Sequence, residues 1–359
     1  MPGPPSRKAR RRSFLTLLLL GAAAGCRAAE AEPASARESD EATFTIVALP
    51  DTQYYSSSHP EILDAQVRWI LSNLDRHQIA LVVHEGDIVD ADERPQWDRA
   101  SRSLHALDGR VPYVLSAGNH DYARTEKTIT RRTLMDEYFP VAGFAGTPWF
   151  KETFEPGHIQ NSFALVDTSA GPWLVIAIEF GPRDAVLAWA DRVAKRYPST
   201  PALLVTHGYL DSDDRRYDHR SASPQRWHPY LYLGEGAAGG TNDGEEIWQK
   251  VVAPNRNIAF VLCGHDLGDG VGRLTSVRDD GSRVHQLLAN YQTEPQGGLG
   301  YLRLMNFLPS QRRVTVQTYS PLLDRFKTDP ANDFQLDYAG MPAANLAART
   351  QGLTQTPRL

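Results

Sequence analysis

The feature that most constrains the fold of this chain is a series of short apolar runs, each ending at a polar or glycine-containing segment. The runs lie at residues 44–49, 79–83, 111–115, 202–205 and 258–262. Their length and apolar character are typical of strands buried on both faces. Apolar residues at helical spacing lie between several of them, at 60–77, 97–107 and 185–193. This alternation predicts an α/β layered fold rather than a helical bundle or a β-sandwich.

Three segments depart from the alternation. Residues 162–166 and 173–180 flank a Ser-Ala-Gly-Pro turn and predict an antiparallel pair, and 271–319 contains further strand-like runs. The stretch 208–244 is long, polar and glycine-rich, with scattered aromatic residues such as Tyr209 and Trp227. A loop of this length is usually functional or disordered. Its aromatic residues favour a cap over a binding site, and a solvated insertion is the alternative.

Residues suited to metal binding follow five of the predicted strands. They are Asp51 with Gln53, Asp87, Asn119 with His120, His207, and finally His265. In an α/β sheet, ligands bind beyond the carboxyl ends of the strands, so these loops are expected to converge on one pocket. Mixed oxygen and imidazole donors suit divalent metals. A single Asp or His after a strand is usually a cap or a satisfied polar residue, so the indication comes from the whole set.

The order of the motifs resembles the calcineurin-like metallophosphoesterase superfamily. The motifs are Asp-x-Gln, Gly-Asp-x-x-Asp, Gly-Asn-His-Asp, a lone His and Gly-His, and the similarity covers residues from about 43 to 320. The resemblance implies an α/β fold in which a sandwich of two mixed β-sheets is flanked by helices, with two divalent metal ions between the sheets. The metal ligands that it implies are Asp51, Gln53, Asp87, Asn119, His207 and His265.

The resemblance also implies a division of roles. Asp87 would bridge both ions, Asp51 and Gln53 would begin one metal site, and the remaining ligands would complete the other. Two cations about 3.5–4 Å apart need a shared anionic ligand, lower the pKa of a bridging water and hold the phosphoryl oxygens for in-line attack. His120 would protonate the leaving oxygen as general acid, oriented by Asp121. The identity of the metals (Mn, Fe, Zn or Mg) stays open.

Two positions depart from the family pattern. The family commonly has His where Gln53 stands, and its last motif commonly ends in a second His where this chain has Leu267. Leucine cannot bind a metal, so one site has lost both expected imidazoles. The candidate replacements are His84, Asp266, Asp269 and His285, each of which is more commonly structural than ligating. The segment 290–292 either faces the pocket or forms a turn.

The N-terminus has the three parts of a bacterial export signal: a cationic stretch, an apolar stretch and a run of small residues ending at Cys26. Arg11 and Arg12 lie in a motif similar to the twin-arginine signal. Ala23 to Cys26 resembles a lipobox, which would acylate Cys26 and attach the protein to the membrane, although Ala23 replaces the usual leucine. A cut after Ala31 without acylation is the rival, and a cytosolic protein with an arginine-rich tail is the bland alternative.

These patterns predict four regions. They are an export signal at 1–26, a flexible tether at 27–42, a catalytic domain at 43–325 and a C-terminal extension at 326–359. The formal charge is −5, and because the leader is basic, the rest of the chain is more acidic. A net-acidic chain with no basic block outside its leader argues against a nucleic-acid-binding surface. The apolar part of the leader is too short to span a bilayer. The oligomeric state stays open.

The leading functional prediction is an exported, metal-dependent phosphoester hydrolase in the periplasm or cell envelope. The alternative is a surface binding module of the same fold with a degenerate metal site. The intact Gly-Asn-His-Asp motif argues against that alternative, since binding alone does not require a leaving-group acid. Scaffolding through the aromatic loop rests on composition only. The substrate, whether monoester or diester and whether small molecule, protein or lipid headgroup, stays open.

Overall fold

The computed structural model describes residues 43–124, 129–234 and 236–338. The predicted export signal with Cys26, the tether at 27–42 and the chain after residue 338 lie outside the described residues. Among the helices that the structure describes, none combines the length and the apolar character needed to cross a bilayer.

The secondary structure alternates through the first two thirds of the chain and becomes mainly β afterwards. The strands are β1 (Phe44–Leu49), β2 (Ile79–His84), β3 (Tyr113–Leu115), β4 (Phe150–Thr153), β5 (Ser162–Thr168), β6 (Gly171–Ala177), β7 (Ala202–Val205), β8 (Ile258–Cys263), β9 (Val271–Val277), β10 (Arg283–Ala289), β11 (Leu302–Leu308), β12 (Arg313–Ser320), β13 (Arg325–Lys327) and β14 (Asp333–Asp337). The helices are α1 (Gln53–Ser58), α2 (Pro60–Ser72), α3 (Arg94–Leu104), α4 (Met135–Tyr138), α5 (Val141–Phe144), α6 (Asp184–Arg196), α7 (Tyr230–Leu233), α8 (Gly244–Ile247) and the distorted turn α9 (Pro295–Gly298). Short 3₁₀ or π segments lie at His105–Leu107, Trp248–Val252 and Pro309–Gln311.

The described strands form two mixed sheets. The first has the order β13-β12-β11-β1-β2-β3, with β14 also paired to β12. The second has the order β4-β5-β6-β7-β8-β10-β9. In the first sheet β1, β2 and β3 are parallel, and in the second β6, β7, β8 and β10 are parallel. The carboxyl ends of the parallel strands in each sheet therefore share one edge of that sheet.

Central strands such as β1, β7 and β8 are mostly apolar because both faces of each sheet are covered there. Ile46 of β1 packs against the second sheet in a cluster that includes Val205 and Phe260. The neighbouring residue Val47 points the other way and packs in the cluster that contains α2 and α3 residues. Helix α6 covers the outer face of the second sheet in the same manner. The predicted sandwich of two mixed sheets flanked by helices is confirmed.

The folded domain continues past residue 325, where the sequence predicted the start of a C-terminal extension. Strands β13 and β14 both pair antiparallel with β12. Phe334 and Leu336 of β14 are buried opposite Val316 and Val314, whereas the other three residues of the strand face solvent. This alternation buries one face of β14, so residues 326–338 of the predicted C-terminal extension contribute two strands to the first sheet.

Candidate metal centre and active site

Loops at the carboxyl ends of the central strands bring the predicted ligands together. Asp51 and Gln53 follow β1, Asp87 follows β2, and His207 and His265 follow β7 and β8 of the other sheet. All five are buried. The centre therefore lies where the two sheets meet, and each sheet supplies part of it.

The donor atoms of three residues converge directly. His207 Nε2 lies 3.1 Å from Asp87 Oδ2 and 3.2 Å from His265 Nδ1. Asp51 Oδ1 lies 3.8 Å from the same His207 nitrogen. A carboxylate and two imidazoles at these separations make a set that borderline divalent metals bind.

Backbone carbonyls on the far side of each ring fix the orientation of both histidines. His207 Nδ1 donates a hydrogen bond to the Glu85 carbonyl at 2.9 Å, and His265 Nε2 donates one to the Trp227 carbonyl at 2.5 Å. These contacts assign the proton of each neutral ring to the outer nitrogen, so the facing nitrogens carry lone pairs. With both rings neutral, the facing nitrogens would present two lone pairs 3.2 Å apart, and a bound cation would stabilise that arrangement.

Three further predicted ligands have buried oxygens that the protein itself leaves unsatisfied. Asp51 Oδ1, Gln53 Oε1 and Asn119 Oδ1 have no hydrogen-bond partner among the described residues. Buried polar atoms in native proteins are nearly always hydrogen-bonded, and an unsatisfied one calls for an ion or water. Oxygen acceptors beside two imidazoles therefore fit divalent metal ions.

The backbone around the ligands is held in conformations that few residues adopt. Asp87 has φ of 50° and His265 has φ of 78°, both in the left-handed region. A β-carbon at Gly118 would collide with the amide and carboxylate of Asp87, and one at Gly264 would collide with the Asp51 carboxylate. Strained non-glycine residues and close backbone packing of this kind concentrate at functional sites.

Burial and mutual repulsion perturb the charges of the ligands. Burial raises the pKa of Asp51 to about 7, although His207 partly offsets this. Burial would lower the pKa of His207, but the carboxylates of Asp87 and Asp51 outweigh it and raise that pKa to about 9. Burial and the neighbouring His207 lower the pKa of His265 to about 3. The buried carboxylates thus hold a proton on His207 in the protein without a bound cation.

His120 lies beside this cluster without joining it. Its backbone N–H donates to Asp87 Oδ1 at 2.8 Å, and its ring Nδ1 lies 2.7 Å from the Asp90 carbonyl. The side chain is 27% exposed, unlike the fully buried ring of His207. With Nδ1 engaged by Asp90, Nε2 is the ring nitrogen left to act on a bound molecule.

The structure corrects the role predicted for Asp121. Its two carboxylate oxygens accept hydrogen bonds from the backbone N–H groups of Val89 and Gly118, at 3.0 and 2.8 Å. Asp121 therefore joins the loops after β2 and β3, and Asp90 rather than Asp121 contacts the His120 ring. The physical reason is burial: a carboxylate with no exposed surface satisfies the nearest buried amides.

The four candidate replacements for the missing histidines are engaged in other contacts. His84 accepts from the Gly86 N–H and contacts the Thr52 hydroxyl, which uses both ring nitrogens. His285 lies early in β10, between Thr275 and the Asp337 carbonyl. Burial lowers the pKa of both histidines, to about 3 for His84.

The two aspartates are no better placed. Asp266 accepts hydrogen bonds from the Tyr217 hydroxyl at 2.6 Å and from the Gly268 N–H. Asp269 is exposed, and it accepts the Val271 N–H, which closes a turn. The contacts of Asp269 are therefore those of a structural residue and not of a metal ligand.

The segment 208–244 packs against the centre, as expected for a cap. The Trp227 carbonyl contacts His265, and the ring of Tyr232 lies 5.4 Å from the ring of His265. A cavity of about 430 Å³ lies between this segment and the loop after β8, lined by Trp227, Arg226, Leu267 and others. The sequence does not reveal the contacts of His265 and His207 with the Trp227 and Glu85 carbonyls, because a backbone carbonyl leaves no residue-type signal.

A second cluster of two carboxylates and a histidine lies within the segment 208–244. It is formed by Asp218, His219 and Asp243. His219 Nδ1 lies 2.6 Å from Asp243 Oδ2, while Asp243 Oδ1 accepts the Glu246 N–H at the start of α8. Asp218 accepts the Arg220 N–H. Asp243 thus acts as the N-cap of α8, and Asp218 closes a turn. The cluster therefore stabilises the local structure of the segment 208–244.

Comparison with curated proteins found a relative in Bacillus subtilis (strain 168), named Uncharacterized protein YvnB. It is 33% identical over 290 residues, which cover 77% of this chain and 20% of that protein. The chain thus spans about a fifth of the length of the curated relative that it matches.

Solved structures that a structural comparison finds similar to this chain include a purple acid phosphatase, PPD1, from yellow lupin (Lupinus luteus) seeds. It is 11% identical with a TM-score of 0.48, covering 83% of this chain and 54% of that one. GAP50, the anchor in the inner membrane complex of Plasmodium, is 11% identical with a TM-score of 0.44, covering 88% and 98%.

A family model described as Calcineurin-like phosphoesterase matches residues 44–269, which is more than half of the chain. The matched range contains every predicted metal ligand together with His120. The family predicted from the order of the motifs is confirmed. The chain belongs to the calcineurin-like phosphoesterase family.

Proposed function

We propose that this protein is an exported hydrolase that cleaves a phosphoester with the help of two divalent metal ions. The observation that carries the proposal is the convergence of three donor atoms. His207 Nε2 lies 3.1 Å from Asp87 Oδ2 and 3.2 Å from His265 Nδ1. The unsatisfied buried oxygens beside them support a second ion. Export rests on the leader sequence alone.

The ligands would form two metal sites that share one residue. Asn119, His207 and His265 would hold one ion, Asp51 and Gln53 the other, and Asp87 both. When bound, the ions supply a nucleophilic water and neutralise charge on the phosphoryl oxygens. The loops keep the ligands in place without rearrangement, because backbone amides and carbonyls already fix Asp87 and both imidazoles.

His120 would supply the proton that the leaving oxygen needs. Its Nδ1 lies against the Asp90 carbonyl, which directs Nε2 away from the loop. A partly exposed imidazole can reach the leaving oxygen of a bound ester and donate a proton to it. A binding module would have no use for such a residue beside the ligands, so this placement favours the enzyme over the alternative.

The test is turnover by the purified mature chain, first stripped of metal and then supplied with Mn²⁺, Zn²⁺, Fe²⁺ or Mg²⁺ singly. The probes are an aryl phosphate monoester and an aryl phosphate diester. Hydrolysis that requires added metal and is lost in Asp87→Asn supports the proposal. Metal binding without hydrolysis of either ester would instead favour the binding module.

Asp269→Asn is the matched control, because this aspartate is exposed and only closes a turn. It should hydrolyse the same ester as the wild type at a similar rate. An equal loss in Asp269→Asn and Asp87→Asn would show that the assay reports general damage to the fold.

A further inference from the structure

We propose that the side-chain oxygen of Gln292 is an additional ligand of the second metal ion, the one assigned to Asp51 and Gln53. The inference rests on the proposed function and deepens it. It concerns the metal ligand that is missing because Leu267 stands where the family commonly has a histidine. The four replacements predicted from the sequence make other contacts.

Gln292 carries a buried acceptor that the described residues do not satisfy. Gln292 as a whole is 7% exposed, and its Oε1 has no hydrogen-bond partner in the part of the chain that the structure describes. The same holds for Asp51 Oδ1 and Gln53 Oε1 of the second metal site. Amide oxygens are among the donors that hard cations such as Mg²⁺ and Mn²⁺ take.

The topology places Gln292 at the edge where the ligands lie. Strand β10 runs parallel to β8, so the loop after β10 emerges at the same edge as His265. The Asn290 N–H donates to the Gly270 carbonyl at 2.8 Å, which joins this loop to the one after β8. The Gln292 N–H donates to Asn290 Oδ1 at 3.0 Å and closes a turn directly after the strand.

The continuation of the same loop reaches the helix that begins at Gln53. A β-carbon at Gly297 would collide with Tyr54, and one at Gly298 would collide with the Tyr55 hydroxyl. The Gly300 N–H donates to that hydroxyl at 3.0 Å. Gln292 therefore lies in a segment bounded on one side by the His265 loop and on the other by α1.

This assignment gives the two metal sites different chemistry. The second site would have oxygen donors only, from Asp51, Gln53, Asp87 and Gln292, whereas the first has two imidazoles. All-oxygen sites prefer harder ions, and imidazoles favour borderline ions such as Zn²⁺. Gln292 would thus compensate in ligand number for Leu267 while keeping the site selective for Mn²⁺ or Mg²⁺.

The experiment is calorimetric titration of the metal-stripped full chain with Mn²⁺, comparing wild type with Gln292→Ala. The wild type should bind two equivalents. Gln292→Ala should bind the tighter equivalent unchanged and the weaker one about 10–100-fold less tightly, the range seen when groups around a metal are removed. Leu267→His added to Gln292→Ala should restore the second equivalent and shift its preference towards Zn²⁺.

Gln286→Ala is the matched control. Gln286 is a buried glutamine on β10, but Tyr209 and Ser276 satisfy its amide. Its replacement should leave both equivalents unchanged. If Gln292→Ala does not fold, Gln292→Glu tests the assignment instead. A negative charge on a ligand should increase the affinity of the second site for Mn²⁺.

The outcomes separate the inference from the proposed function. A wild type that binds no Mn²⁺ or Zn²⁺ would overturn both. Two equivalents in the wild type that persist with equal affinity in Gln292→Ala, or an unchanged second equivalent in Gln292→Glu, would overturn the role of Gln292 alone. A wild type that binds a single equivalent even at millimolar Mn²⁺ would also overturn it.

Discussion

Replacing Asp121 with alanine should destabilise the protein, because one carboxylate accepts hydrogen bonds from two buried backbone amides. These amides belong to Val89 and Gly118, and the Asp121 side chain has no exposed surface. Leaving a buried donor unsatisfied costs about 1–3 kcal/mol, so two of them give about 2–6 kcal/mol. Burial and the nearby Asp87 raise the pKa of Asp121, so relief of those effects offsets part of the loss. We therefore expect about 2–4 kcal/mol.

The assay is denaturant unfolding of the metal-stripped chain, in which the loss appears as a lower midpoint at unchanged slope. Asp92→Ala is the matched control. Asp92 also accepts two hydrogen bonds, from the Leu134 N–H and the Trp97 indole N–H, each at 2.8 Å, but it is only half-buried. It should cost less stability than Asp121→Ala.

A second readout separates the two aspartates. The amides held by Asp121 lie in the loops that carry Asp87 and Asn119, so Asp121→Ala should weaken metal binding about 10–100-fold. Asp92→Ala should leave metal affinity unchanged. Equal stability of Asp121→Ala and wild type, or unchanged metal affinity in Asp121→Ala, would refute the reasoning.

The remaining predictions concern His120 as general acid, the pH dependence of stability and the export signal. His120→Asn should lower kcat about 10²–10⁴-fold with bound metal unchanged by elemental analysis, whereas loss of metal would make it a ligand. Asp51 and His207 both bind a proton more tightly in the folded protein, with pKa values raised to about 7 and about 9. Above about pH 6.5 the lowered pKa values of His84 and His265 no longer change stability, so the metal-stripped protein should lose Tm as pH rises from about 6.5 to about 9. The stabilisation by added metal should grow over the same range, and equal stabilisation at about pH 6.5 and pH 9 would contradict this. Replacing Arg11 and Arg12 with Lys should retain the precursor in the cytoplasm on fractionation, and normal export would count against a twin-arginine signal.

Much of the fold could be predicted from the sequence because its signals are local. The apolar run at 44–49 and the helical spacing after Pro60 predict β1 and α2 without knowledge of their neighbours. Strand β13 could not be found in this way, since Arg325–Lys327 is short and mostly exposed. The five residues of β14 alternate over too short a span to be distinctive.

The ligands could be predicted because the residue types and their order carry the signal. The partners of those ligands could not, since they depend on tertiary contacts. Asp121 follows His120 in sequence but bonds to amides of other residues, and the His265 ring is fixed by a carbonyl of Trp227, 38 positions away. Gln292 becomes notable only once its oxygen is known to be buried and unsatisfied.

The division of the centre between the two sheets has a consequence for folding kinetics. The Asp51 carboxylate accepts the His265 N–H across 214 positions of sequence, so the donor set exists only after both sheets have formed and docked. A metal ion that binds this set binds the native state and not the unfolded chain, and stabilises it by mass action. Metal added during refolding should therefore slow unfolding more than it accelerates folding, if docking follows the rate-limiting step. Stopped-flow measurements with Co²⁺, whose absorption changes on coordination, would time the docking of the two sheets directly.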